Sequence, residues 1–277
     1  VLAGGCATGT WYRAGEGLIG SWVALVLYAV TAAITKTGIL LPVMTWINKP
    51  TNINANMSQT TGIPMWVFTL VLTIITIIFV TKTLRKPKPK FAVPKLKQKY
   101  SGLRHYLFEK RYHPFVAGIA VGLIALIAWP MSISTGRDYG LGITTPSANL
   151  ITFLITGDTK LIDWGVLLIL GIFLGSYIAA KGSREFKWRL PDKKTIRNSA
   201  IGGICMGFGA SVAGGCSIGN GLVETAIMSW KGWIALGSMI LGVWFMSYFI
   251  FIRPMKKLEK QTSKSQATTA TKQVQTT

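Results

Sequence analysis

Acidic residues are scarce in this chain. Its 277 residues include 9 Asp and Glu against 30 Lys and Arg, a formal charge of +21. Charged residues make up only 14% and half of the chain is apolar, whereas an ordinary soluble domain carries about 25% charged residues. Such a chain lacks the polar groups to cover a water-facing surface, so a soluble globular class is excluded and the lipid bilayer is the expected solvent. The 3 cysteines, Cys6, Cys205 and Cys216, form no C-x-x-C pair and no even set, which excludes a disulfide framework and a thioredoxin-type motif. The 2 histidines, His105 and His113, come without a Cys/His ligand set, so neither a metal site nor a metal cofactor is indicated. A signal peptide in its usual order of basic, apolar and cleavage regions is also missing, and the chain, opening on Val1 inside a small-residue motif, reads as N-terminally truncated.

What the chain does have is long apolar runs, at 18–46, 63–80, 115–133, 164–180 and 233–252. Each is long enough to cross a hydrocarbon layer of roughly 30 Å at about 1.5 Å per residue. Lys36, Gly38 and Pro42 interrupt the first, which reads as one crossing followed by a short helix. The basic residues fall between and after these runs: 11 between Lys82 and Arg111, 7 between Lys181 and Arg197, and more in the tail. This is the pattern of cytoplasmic loops, not of a nucleic-acid footprint, so no nucleic-acid partner is expected.

The expected organisation is a first repeat over 1–81, a basic cytoplasmic linker over 82–114, a second repeat over 115–252 and a disordered polar tail over 253–277. The tail, rich in Thr, Gln, Ser and Lys, lacks the apolar residues that would order it. Parity places 82–111, 181–197 and the tail in the cytoplasm, with 134–163 outside. In that outer segment, Gly-Leu-Gly-Ile-Thr-Thr-Pro (140–146) predicts a short helix with Pro146 near its start.

Glycines punctuate the stretch 198–231. A continuous helix is disfavoured there, since each interior glycine costs roughly 1 kcal/mol against alanine. Two half-helices, 199–212 and 218–229, joined at Ala-Gly-Gly-Cys, fit better. The joint is repeated: Ala3-Gly4-Gly5-Cys6-Ala7-Thr8-Gly9 matches Ala213-Gly214-Gly215-Cys216-Ser217-Ile218-Gly219, at an offset of 210 residues. With 18–46 running outward and 233–252 inward, the two copies are related by inversion. The fold class is therefore all-α: a polytopic membrane protein with inverted repeats and broken or re-entrant half-helices, an architecture that sets a solute site near the midplane.

Glycines at a helix break let backbone and solute approach closely and free N–H groups that a helix would otherwise consume. Those donors, with the positive end of the following half-helix, favour an anion. A thiol adds a weak, polarizable donor suited to a soft sulfur atom, without a permanent charge that would trap the ion. The path residues expected on this basis are Gly4, Gly5, Cys6, Gly214, Gly215 and Cys216, with Ser217 and Asn220 as further donors to a solute or as helix caps. Small-residue packing between membrane helices is the alternative for one isolated copy; duplication favours a site. Cys205, which has no counterpart in the first copy, reads as a packing residue.

At these residues the chain resembles the YeeE/YedE family of bacterial inner-membrane sulfur-transport proteins. The likeness rests on 2–17, on Gly-Ile-Thr-Thr-Pro (142–146), and on Arg-Asn-Ser-Ala-Ile-Gly-Gly (197–203) leading to 212–222. The resemblance implies an hourglass-like importer of thiosulfate that passes the anion along cysteine thiols by hydrogen bonding, with no enzymatic activity and no cofactor. Cys6 and Cys216 fall on two of the family's motif cysteines, and the resemblance implies another that precedes Val1.

Three ionisable residues accompany the motifs. Arg13 and Glu16, three apart, are placed to pair on a helix, and Glu224, without a base within four positions, is assigned a structural hydrogen-bonding role. The expected partners are a small sulfur-containing anion, the lipid bilayer and a soluble sulfur-carrier protein on the cytoplasmic side. Three alternatives stay open: carriage of a selenium compound, a membrane sulfur-transfer or redox protein that uses the cysteines covalently, and a non-transporting membrane partner or assembly subunit whose basic linker or tail docks a soluble sulfur carrier.

Overall fold

The computed structural model describes residues 1–49, 56–85 and 112–255. Among them the chain is helical: α1 (Ala7–Gly15), α2 (Ile19–Thr37), α3 (Leu41–Asn48), α4 (Met57–Thr61), α5 (Met65–Arg85), α6 (Pro114–Ser134), α7 (Thr144–Thr156), α8 (Trp164–Gly182), α9 (Lys193–Val212) and α10 (Trp230–Ser247). A π-helical turn, Gly219–Glu224, lies between α9 and α10, and another, Tyr248–Ile252, extends α10. The basic linker between residues 86 and 111 and the tail from residue 256 lie outside the described residues.

The five apolar runs are α2, α5, α6, α8 and α10, each long and apolar enough to cross a membrane. The first run divides as its sequence predicts. Helix α2 ends at Thr37, where Gly38 is extended, and α3 begins at Leu41 with Pro42 in its first turn, where the missing N–H of proline costs nothing. Helix α7 begins at Thr144 and carries Pro146 in its first turn. Large apolar side chains on α5, α6 and α10 are exposed, as lipid-facing surfaces require.

Close contact between α2 and α9 sets the direction of both. A Cβ on Gly203 would stand 2.5 Å from the Ala24 carbonyl oxygen, and one on Gly207 would stand 2.6 Å from that of Tyr28. Both pairs ascend together, so the helices run parallel, at a spacing that only glycine allows. At the start of α2, the Ile19 amide donates to the Arg189 carbonyl and the Arg189 amide donates to the Gly17 carbonyl. At the other end of α2, about 28 Å away by helix rise, Lys36 meets Thr145 of α7. Lys231, in the first turn of α10, is a charged neighbour of Lys36. The start of α10 thus lies within electrostatic range of the end of α2.

The buried core gathers Ala7, Trp11 and Ala14 of α1, Leu25, Tyr28 and Ala29 of α2, Ile143, Ile169 of α8, and Cys216. It brings the second Gly-Gly-Cys joint onto the helix that follows the first.

Candidate functional site

The two Gly-Gly-Cys segments fold alike. Residues 2–5 and 213–215 form turns, Gly4 and Gly214 adopt φ of +74° and +71°, and each cysteine stands immediately before a helix. Left-handed backbone is costly for residues with a Cβ, which explains glycine at these two positions. Cys6 is the N-cap of α1, its Sγ accepting from the Gly9 amide at 3.4 Å. Cys216 begins the second half-helix, 217–226, much of it π-helical. The observed half-helices begin earlier than the sequence reading at Lys193 and end earlier at 226, because Asp192 starts α9 and the chain turns at Ile227 and Met228.

Cys216 is buried, whereas Cys6 and Cys205 are exposed. Both motif thiols lie within electrostatic range of Tyr28, a fully buried residue near the middle of α2. Gly5 and Gly215 complete the turns, the former under the Arg13 guanidinium and the latter against the Asn220 side chain.

A third helix start joins them. The Tyr28 hydroxyl donates to Thr144 Oγ1 at 2.8 Å, Trp11 Nε1 donates to Ser147 Oγ at 3.0 Å, and Lys36 Nζ donates to Thr145 Oγ1. The Gly-Ile-Thr-Thr-Pro segment is thus the N-terminus of α7, held by α1 and α2 through three side chains.

A cation covers each glycine turn. Arg13 Nη1 donates to the Gly4 carbonyl, and Lys231 Nζ would stand 2.5 Å from a Cβ on Gly214. The expected Arg13–Glu16 pair does not form, because the Arg13 guanidinium folds back onto the turn, where the Gly4 carbonyl takes it. Glu224 is buried, and Lys231 Nζ, seven positions on, approaches its Oε1 to 3.9 Å across the break before α10.

Asn220 is fully buried, and its amide donates to the Ala213 carbonyl at 3.2 Å and the Gly215 carbonyl at 2.9 Å. It braces the turn from beneath, and its donors face the backbone. Ser217, by contrast, is exposed.

Sequence reasoning did not single out Tyr28, Lys36, Arg137 or Tyr139. Arg137 Nη1 lies 3.5 Å from Asp163 Oδ2, while Asp163 also caps α8 by accepting from the Val166 amide. The Tyr139 hydroxyl is buried without a protein hydrogen-bond partner and would stand 3.1 Å from a Cβ on Gly219, in the first turn after Cys216. Burial first, and the Glu224 carboxylate second, push its phenol above the usual range, so it stays a neutral donor. On the far side, Arg13, Arg189, Gly4 and Ser199 line a cleft of about 210 Å³ leading to the first turn. Among the described residues no cluster of His, Cys, Asp and Glu is able to hold a metal ion.

These arrangements supply backbone and side-chain donors, cations and thiols, the chemistry of weak contact with a passing anion. A family profile described as Sulphur transport matches residues 1–245. The thiosulfate transporter TsuA of Escherichia coli K12 is 53% identical over 263 residues, covering 95% of this chain and 74% of that protein. A thiosulfate transporter TsuA of Spirochaeta thermophila is 32% identical over 269 residues, covering 91% of this chain and 74% of that protein. A probable transporter YedE of Escherichia coli K12 is 34% identical over 95 residues, covering 32% and 24% of the two chains.

Proposed function

The chain belongs to the sulphur-transport family, and from that premise we propose that it carries thiosulfate, or a closely related small sulfur-containing anion, across a bacterial cytoplasmic membrane. The path passes Cys216 and Cys6 and the glycine turns that precede them. The observation that carries this reading is the doubled turn. Two left-handed glycines each stand two residues before a cysteine at a helix start, and Cys216 packs in one core with α1, the helix that Cys6 caps.

The mechanism follows from weak contacts in series. The anion exchanges water for amide N–H and thiol donors at one turn, then at the other. A neutral thiol offers a donor to the terminal sulfur and releases it, whereas a thiolate would repel a dianion. The helix starts at Cys6, Cys216 and Thr144 add partial positive charge. The basic residues between Lys181 and Arg197 mark their face as cytoplasmic, which puts Lys36, Arg137 and Lys231 outside. A soluble sulfur carrier on the cytoplasmic face fits this direction of travel.

Uptake of labelled thiosulfate by the complete protein, in cells lacking their own carrier, tests the reading. Cys216→Ser and Cys6→Ser are each expected to lose most uptake at unchanged membrane abundance. Full uptake in both variants would remove the cysteine path.

A further inference from the structure

Lys36 stands in the last turn of a membrane-spanning helix, yet no carboxylate among the described residues lies within ion-pair distance of it. The two acids nearby are already engaged, Asp163 by Arg137 and Glu224 by Lys231. Arg137, Lys231 and the Cys216 thiol lie within electrostatic range of its ammonium. Among the described residues its hydrogen bond goes to the hydroxyl of Thr145, the second residue of α7.

The ordinary roles of such a lysine do not fit this placement. A cation in a last turn commonly answers the negative end of its own helix, but this ammonium is directed at the start of α7, the positive end of another. Snorkelling carries a lysine head to water, but this one is partly buried between α2 and α7. A charge held in a membrane-spanning segment without a counter-ion is costly and marks a functional position. Around it, Arg137 Nη1 makes only the 3.5 Å approach to Asp163 among the described residues, and the Tyr139 hydroxyl is buried beside the Glu224 carboxylate. Three cations, Lys36, Arg137 and Lys231, face two acids, Asp163 and Glu224, which leaves one positive charge in excess, and a visiting anion is the partner that balances it.

We propose that Lys36 is the docking cation for the transported anion: its ammonium holds a small divalent oxyanion beside the start of α7, from where the Cys216 thiol receives it. This rests on the reading of the chain as a sulfur-anion carrier and deepens it by separating two tasks. Lys36 recognises charge, as a compact point charge able to bind and release, and the thiol recognises the soft sulfur. Sulfate, with the same charge and no soft sulfur, therefore competes at Lys36.

The test compares thiosulfate uptake kinetics of Lys36→Gln, Lys36→Arg and Cys216→Ser in the complete protein. Gln keeps a donor for Thr145 and removes the charge. Lys36→Gln is expected to raise KM about tenfold, equivalent to ~1.4 kcal/mol, with maximal rate within about twofold, and Lys36→Arg to stay near the wild type. A wild-type KM in Lys36→Gln, with Cys216→Ser inactive, overturns the docking role and leaves the transport reading intact. Full uptake in Cys216→Ser removes the transport path and the docking role together. Should Lys36→Gln fail to accumulate, competition by sulfate on the unaltered protein decides: competitive inhibition supports the site, and none at a hundredfold excess overturns it.

Discussion

Gly4 and Gly214 hold the same left-handed backbone, φ +74° and +71°, each two residues before a cysteine that starts a helix. Arg13 lies over the first and Lys231 over the second. A cation therefore accompanies each turn, although the two come from different positions relative to their cysteines.

The left-handed conformation makes a prediction by residue type. Alanine at either glycine is expected to destabilise the protein by about 1 kcal/mol, valine by more, and asparagine by less, since it tolerates this region. At both positions a new Cβ meets only the end of a flexible side chain, so backbone strain dominates. Thermal unfolding of purified Gly214→Asn, Gly214→Ala and Gly214→Val in detergent should rank in that order. Equal melting for all three would show that φ does not decide the position.

The α2–α9 contact predicts a contrast within one helix. Gly203→Ala drives a methyl to 2.5 Å from the Ala24 carbonyl oxygen, part of a backbone that cannot swing aside. Overpacking of this kind costs about 1–3 kcal/mol. Gly209, on the same helix, has nothing within 4 Å of its Cβ position, and alanine there should be neutral or slightly stabilising. Melting temperatures of the two variants check the contrast.

Cys205 gives a third expectation. It is exposed on α9, with no turn beside it and no counterpart in the first copy. Cys205→Ala should leave thiosulfate uptake unchanged and shift stability by no more than about 0.5 kcal/mol. A loss of uptake matching that of Cys216→Ser would place a thiol in the path that the repeat does not predict.

Much of this fold is legible in the sequence because its signals are local. Apolar runs set the five long helices, and Pro42 and Pro146 mark helix starts. The Gly-Gly-Cys turn is legible because it occurs twice. The failures share a cause, since each partner lies beyond the reach of helical spacing. Arg13 and Glu16 satisfy the three-residue rule, but the guanidinium is taken by the Gly4 carbonyl, nine residues back. Glu224 finds Lys231 only because the chain breaks before α10. Lys36 reads in sequence as an interruption of an apolar run, and its partner Thr145 is 109 residues away. Asn220, beside a cysteine, suggests a donor to solute, whereas its place beneath the turn is set by the π-helical turn that sequence spacing does not reveal.

The clamp on α7 supports the last prediction. The Tyr28 hydroxyl and Thr144 Oγ1 meet at 2.8 Å, both fully or nearly fully buried. Removing one partner leaves the other buried and unsatisfied, at a cost of about 1–3 kcal/mol, while replacing both by apolar groups of similar shape is far milder. Tyr28→Phe and Thr144→Val should therefore each lower the melting temperature, and the double variant should lose less than the two losses combined. A coupling of about 0.5–1.5 kcal/mol is expected from the cycle. The start of α7 also carries Thr145, which holds Lys36, so Tyr28→Phe should weaken apparent thiosulfate affinity as well as stability. Strict additivity in the cycle would mean that the two hydroxyls act independently, and that α7 is fixed instead by its apolar contacts and by the Trp11–Ser147 bond.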